Sequence, residues 1–190
     1  MLSWICSKIL AIRGWTIVGQ LPDLKKYVII VAPHTSNWDF FIFLALKFSL
    51  RTQVNFVGKH TIFVWPVNGI LRKLGGRPVD RSKSHNMVDA IADMIKQNDE
   101  FIFALSPEGT RSFKDHWKSG FYYIALKAEV PIQLCFIDMT DKTIGFGPLI
   151  TPCGDIEKDQ QVIKEFYQDK KGINPELMSR IEFKTKNSSS

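Results

Sequence analysis

His34 and Asp39 are the first pair in the chain with the makings of acid–base chemistry. They sit in Pro33-His34-Thr35-Ser36-Asn37-Trp38-Asp39, directly after the β-branched run Tyr27–Ala32. A carboxylate beside an imidazole fixes its tautomer and stabilises its charged form. The other ring nitrogen can then take a proton from a hydroxyl. A plainer reading stands beside this one. Ser36-x-x-Asp39 is also a capping box, in which Asp39 belongs to the start of the next helix. Both hold together if the cap fixes the carboxylate near the loop that carries His34.

A second cluster, Ser106-Pro107-Glu108-Gly109-Thr110-Arg111-Ser112, follows the apolar run Phe101–Leu105. Glu108 can orient a substrate hydroxyl or anchor a basic residue such as Arg81 or Arg111, and Arg111 can add to a phosphate site. The bland alternative is a turn with a structural ion pair. Neither Ser106 nor Ser112 lies in a G-x-S-x-G elbow, so no serine acyl-enzyme is indicated. Between the two clusters lies a basic stretch, Arg72, Lys73, Arg77, Arg81 and Lys83, around Gly75-Gly76. Glycines let backbone approach a ligand and Arg forks match phosphate oxygens. A solvated basic face is the competing reading. Nucleic acid is weaker, because no helix-turn-helix, finger or RNP-like pattern accompanies the charge. Lys118-Ser119-Gly120 opens a further helix whose N-terminus can assist anion binding.

The elements that must position these clusters are legible in the hydrophobic pattern. Strands are expected at Tyr27–Ala32, Gln53–Val57, Arg77–Asp80, Phe101–Leu105, Ile132–Ile137 and Ile144–Ile150. Helices are expected at Phe40–Phe48, Thr61–Leu74, Ser84–Gln97, Phe121–Ala128 and Asp155–Lys170. Their alternation predicts an α/β fold, a mostly parallel mixed sheet flanked by helices. In such sheets ligands bind beyond the carboxyl ends of the strands, where the His34 and Glu108 clusters fall.

Composition bounds the rest. The chain has 190 residues, 45% hydrophobic and 23% charged, which fits one globular domain and excludes disorder, collagen and coiled coil. Aromatics reach 12%, and the net charge of +6 points to an anionic partner. The three cysteines, Cys6, Cys135 and Cys153, lack metal-ligand or disulfide-framework spacing. No metal and no cofactor are expected. No apolar run is long enough to span a bilayer, and Lys8 and Arg13 interrupt the N-terminal one, which is therefore not read as a signal peptide. Residues 1–18 read as a short amphipathic helix with Leu2, Ile5, Ile9 and Ile12 on one stripe. That stripe either lies in a membrane interface or docks on the core. The expected organisation is this segment, a single α/β domain over 19–183 and a disordered tail over 184–190.

Taken together the motifs resemble the glycerolipid acyltransferase family, whose best-known members are the 1-acyl-sn-glycerol-3-phosphate (lysophosphatidic acid) acyltransferases. Four blocks carry the resemblance in order: His34-x4-Asp39, Gly76 to Arg81, Pro107-Glu-Gly-Thr-Arg-Ser112, and Val130-Pro131-Ile132. The resemblance implies the glycerol-3-phosphate acyltransferase-like fold and an enzyme. Its acyl group would pass from an acyl-CoA or acyl-carrier-protein thioester to the hydroxyl of a lyso-phospholipid, with 1-acyl-glycerol-3-phosphate as leading acceptor. His34 would be the general base and Asp39 its orienter. Arg81 would hold the acceptor phosphate. Glu108 and Gly109 would bind the glycerol phosphate end, and Pro131 would shape the acyl-donor side. Thr110, Arg111, Arg77 and Lys118 complete the expected substrate-binding set. The implied setting is the cytoplasmic face of an anionic membrane, peripheral or monotopic, without a transmembrane helix and without nucleic acid. A non-catalytic lipid- or phosphate-binding module and an acyl-thioester hydrolase are the alternatives.

Overall fold

The structure, a computed structural model, describes residues 2–79 and 84–183. Its elements are α1 (Leu2–Ile12), β1 (Thr16–Val18), β2 (Lys26–Ala32), α2 (Trp38–Ser49), β3 (Val54–Lys59), a 3-10 turn (His60–Ile62), α3 (Val67–Lys73), β4 (Gly76–Val79), α4 (Ser84–Gln97), β5 (Phe101–Leu105), α5 (Gly120–Ala128), β6 (Ile132–Asp138), β7 (Thr143–Ile150), α6 (Ile156–Tyr167) and a second 3-10 turn (Pro175–Leu177). The seven strands form one sheet in the order β1-β7-β6-β2-β5-β3-β4. All pairings are parallel except β6 with β7. This is the α/β architecture expected from the pattern.

The central strands are buried on both faces, which is why β2 and β6 read as unbroken apolar runs. Val28, Ile30 and Ala32 of β2 join a core with Phe103, Phe121, Tyr122, Ile132, Leu134 and Tyr167. Tyr27 and Ile29, which alternate with them in sequence, join a second core with Leu10, Leu46, Val54, Cys135 and Ile144. Helices α4, α5 and α6 therefore cover one face, and α1 and α2 the other. Phe56 of β3 packs on Phe40 and Phe43 of α2. Gly58, on the same side two residues later, meets Ile62 and Phe63, so the segment leading into α3 also lies on the α2 face.

The N-terminal segment departs from expectation. The helix stops at Ile12 instead of running to residue 18. Gly14 has φ +79°, and Trp15 N–H donates to Leu10 O at 2.9 Å while Gly14 N–H donates to Ala11 O at 2.9 Å. That is a Schellman ending, which a residue at positive φ permits. Thr16–Val18 then pair in parallel with Thr143–Gly145. The expected helix over 61–74 is likewise divided: a 3-10 turn ends at Ile62 and α3 begins only after Pro66, because proline cannot continue a helix from the residue before it.

The side of α1 that packs is also not the apolar stripe. Cys6 and Leu10 are buried, and Ser3 Oγ donates to Ser49 O at 2.9 Å while the Ser7 and Ser49 hydroxyls meet at 2.7 Å. Ile5, Ile9 and Ile12 face outward, Ile12 with 82% exposure.

Candidate active site

His34 follows the carboxyl end of β2, and Asp39 lies in the first turn of α2. One Asp39 oxygen, Oδ2, is the hub of the loop. It lies 3.1 Å from His34 Nδ1 and accepts from the Thr35 and Ser36 backbone N–H groups, each at 2.9 Å. The Ser36 hydroxyl accepts from Trp38 N–H at 3.2 Å. Only the return half of the expected capping box forms: Asp39 Oδ2 serves both Ser36 N–H and His34, whereas the helix is capped at Asn37, whose side chain makes no cap bond, and the Ser36 hydroxyl meets Trp38 N–H instead of Asp39 N–H. Asp39 is 4% exposed and His34 about a quarter exposed. With Nδ1 facing a carboxylate, Nδ1 carries the proton and Nε2 is left as the basic atom. The arrangement can accept a proton at Nε2 and hold the resulting imidazolium.

Glu108, in the loop after β5, is 2% exposed. Its Oε2 accepts from the backbone N–H of His34 at 2.7 Å and from Ser106 Oγ at 3.4 Å. Among the described residues no ion pair to Glu108 is present, and Arg111 is exposed on the loop. Burial pushes the Glu108 carboxyl up to about 8, against the lowering effect of the His34 N–H and the Ser106 hydroxyl, and the Asp39 charge adds to the rise. Glu108 therefore ties the loop after β5 to the loop after β2.

Gly109 takes φ +66°. A Cβ there would lie 3.0 Å from the Lys118 chain, and the Lys118 N–H donates to Pro107 O at 2.8 Å. Lys118 thus runs past the Glu108 loop with its side chain exposed. The Thr110 hydroxyl accepts from Ser112 N–H at 3.3 Å. Arg77 is exposed on the edge strand β4, in register with Val57. Three strand spacings separate it from β2, about 14 Å. Pro131 precedes β6, and its carbonyl accepts from Val28 N–H at 3.0 Å. It sits at the amino end of the sheet, ~20 Å of strand from His34. The structure brings together His34, Asp39 and Glu108, with Gly109, Thr110 and Lys118 in the adjoining loop. It does not bring Arg77 or Pro131 to them. Arg81, Asp80 and Lys83 lie outside the described residues, as does the segment 184–190.

Two supports had no counterpart in the sequence reading. Thr35 Oγ1 accepts from Asn174 N–H at 3.0 Å, and Asn174 Nδ2 donates to Thr35 O at 2.9 Å. The chain after α6 thereby latches onto the His34 loop. The Tyr167 hydroxyl lies 2.9 Å from both Ile30 O and Cys135 O and accepts from Cys135 N–H at 3.0 Å, bracing β2 against β6. The aromatic at the end of an amphipathic helix was the available signal for Tyr167; for Asn174 no spacing or motif marks it. Among the described residues, no group of three or more His, Cys, Asp and Glu side chains is placed to hold a metal ion.

A His–Asp pair, its carboxylate buried and its imidazole a quarter exposed, thus stands at a strand end of an α/β sheet. The chain belongs to the acyltransferase family, whose sequence model matches residues 16–138. That stretch contains His34, Asp39, Pro107–Ser112 and Val130–Ile132. The chain is 31% identical over 136 residues to the 1-acyl-sn-glycerol-3-phosphate acyltransferase BAT2, chloroplastic, of Brassica napus, a match covering 67% of this chain and 38% of that protein's length. Its fold is similar to that of the crystal structure of the 1-acyl-sn-glycerophosphate (LPA) acyltransferase PlsC from Thermotoga maritima. The TM-score is 0.59 at 19% identity, over 87% of this chain and 74% of the other.

Proposed function

We propose that the protein transfers a fatty acyl group from an acyl-CoA or acyl-carrier-protein thioester to the hydroxyl of a lyso-phospholipid. The leading acceptor is 1-acyl-glycerol-3-phosphate, giving phosphatidic acid. The observation that carries this is the 3.1 Å contact between His34 Nδ1 and a buried Asp39 carboxylate. An alcohol is a poor nucleophile at neutral pH and a thioester a good electrophile, so the missing element is a positioned base. Such a base contributes about 10²–10⁴-fold.

The acceptor hydroxyl gives its proton to His34 Nε2 as its oxygen bonds to the thioester carbonyl carbon. The C–S bond then breaks, and the leaving thiolate takes the proton back from the imidazolium. Asp39 stabilises the imidazolium between these steps. Atoms balance with no covalent enzyme intermediate and no metal or cofactor. Arg81 binds the acceptor phosphate, with Arg111 and Lys118 adding positive charge.

The reaction belongs at the cytoplasmic face of a membrane. Trp4, Ile5, Ile9 and Ile12 of α1, Trp38 and Phe41 of α2, and Ile62, Val64, Trp65 and Ile70 around α3 are exposed, Trp65 with 90% exposure. All lie on the face covered by α1, α2 and α3, and such a patch on one side favours lipid contact. Among the described residues no helix is long and apolar enough to cross a membrane, and the exposed patch offers an interfacial contact.

The test is mass spectrometry of products from acyl-CoA with a panel of lyso-phospholipids, wild type beside His34→Ala. An acylated lipid from wild type alone supports the reading and names the acceptor. Free fatty acid formed without an acceptor overturns it in favour of a hydrolase.

A further inference from the structure

An opening lies at the amino end of the sheet, away from His34. It is a cleft of about 360 Å³ at the carboxyl ends of α2 and α3, closed on one side by α1. Its walls include Ser3, Lys47, Arg51, Thr52, Gln53 and Lys73. Three wall residues are cations and none is acidic. Among the described residues, no carboxylate lies within ion-pair distance of Lys47, Arg51 or Lys73.

Lys47 is built into this wall. It is 7% exposed, and its ammonium donates to Val54 O at 2.8 Å and to Leu74 O at 2.5 Å. Gly75, at φ +90°, makes room for it: a Cβ there would stand 3.1 Å from the ammonium nitrogen and 2.4 Å from Val54 O. The α2 and α3 helix ends offset part of the charge, about half an elementary charge each. Burial holds the Lys47 ammonium below its ordinary pKa, and the exposed Arg51 and Lys73 charges outweigh the helix ends. A concave, one-signed wall concentrates its field, and the Arg51 fork and Lys73 ammonium match phosphate oxygens.

The surroundings select the source of that phosphate. Ser3 forms the α1 wall of the cleft. The next two residues on the helix, Trp4 and Ile5, are 65% and 39% exposed, and the apolar ridge continues through Ile9 and Ile12. A soluble anion has no use for such a border, whereas an amphiphile has. We propose that this cleft binds the phosphate headgroup of an anionic membrane phospholipid that is neither donor nor acceptor, its acyl chains lying along the exposed ridge of α1. The inference rests on the membrane-surface reading above. The site is separate from the reaction centre, because α2 runs from Asp39 to Ser49 and Arg51 follows, a span of ~18 Å at 1.5 Å per residue.

The experiment is co-sedimentation of the full chain with phosphatidylcholine vesicles, with and without phosphatidylglycerol, comparing wild type, Arg51→Gln/Lys73→Gln and a control. The control, Lys96→Gln/Lys158→Gln, removes the same charge from α4 and α6 on the opposite face. A basic side chain near an anionic bilayer is worth about a fivefold change in partitioning. Arg51→Gln/Lys73→Gln should therefore bind phosphatidylglycerol vesicles at least tenfold more weakly than wild type, roughly, while the control changes less than threefold, roughly. Lys73→Glu alone provides a second variant that leaves Arg51, at φ 55°, untouched. Equal binding by wild type and the cleft variants overturns the proposal, as does an equal loss in the control. Displacement of wild type by inorganic phosphate as effective as by anionic vesicles reassigns the cleft to a soluble anion and overturns the lipid assignment. Acyl transfer in neutral detergent micelles, read in parallel, should be the same in wild type and Arg51→Gln/Lys73→Gln. Its absence from both fails the transfer reading alone, and the vesicle comparison still decides the cleft.

Discussion

The carboxyl group of Glu108 accepts a hydrogen bond from the backbone N–H of His34 at 2.7 Å, so two loops from different strands share one buried contact. Its raised value, about 8 against an ordinary 4.5, has a consequence for stability. Between those two values the unfolded chain has released the proton and the folded chain has kept it. Stability attributable to Glu108 is therefore fully present below about 4.5 and is lost as pH rises towards 8. In Glu108→Gln, which keeps an acceptor for the His34 N–H, this loss should vanish. Urea unfolding at both ends of that range should show wild type falling by on the order of 2–4 kcal/mol more than Glu108→Gln. Parallel curves for the two proteins would refute the assignment.

Asp39→Asn tests the hub. Asparagine can keep an oxygen towards the Thr35 and Ser36 N–H groups, and it cannot stabilise an imidazolium as a carboxylate does. Acyl transfer should drop by about 10²–10⁴-fold, while stability falls by about 1–2 kcal/mol through loss of charge assistance. Single-turnover rates and denaturant titrations separate the two effects. A rate within threefold of wild type, roughly, would remove Asp39 from the mechanism.

Arg81 is the expected phosphate contact, placed by its motif. Arg81→Ala should raise KM for phosphate-bearing lyso-lipids about tenfold to a hundredfold, as loss of a charge-assisted hydrogen bond does. A lyso-lipid without a phosphate should be affected far less. Steady-state kinetics on both acceptors provides the check, and an equal effect on both would reject the phosphate role.

The α1 ridge is testable without truncation. Deleting residues 1–18 would also remove β1 from the sheet, confounding lipid contact with folding. Trp4→Ser/Ile9→Ser/Ile12→Ser instead removes three exposed side chains. Partitioning onto neutral vesicles should weaken by more than tenfold, roughly, with the melting temperature unchanged. Undiminished co-sedimentation would move the membrane contact to α2 and α3.

Much of the fold was legible because the sheet is buried on both faces. Helix α4 and strand β5 fall where the periodicity places them, over Ser84–Gln97 and Phe101–Leu105. Strand β1 was not legible. Three residues, Thr16–Val18, are too few for a period to emerge, and Trp15 continues the spacing of the helical stripe. Gly14 was the sole local stop signal. At the site, the His34–Asp39 pair was readable because both partners lie in one loop. The Glu108 contact was not, because a carboxylate that meets a backbone N–H leaves no partner side chain to find; the pattern pointed instead to Arg81 or Arg111. Pro131 was grouped with the site by motif order, and strand direction places it at the other end.

Among the described residues, the two outer strands of the sheet are its shortest. Strand β1 has three residues and β4 has four, one of them Pro78. Proline offers no N–H to a newcomer, and a short rim gives an invading strand little to zip against. A protein that displays this much oily helix surface would otherwise invite its copies to polymerise strand by strand. With both margins short, the exposed helical side is the larger apolar surface left open to contact, and there detergent or lipid can compete.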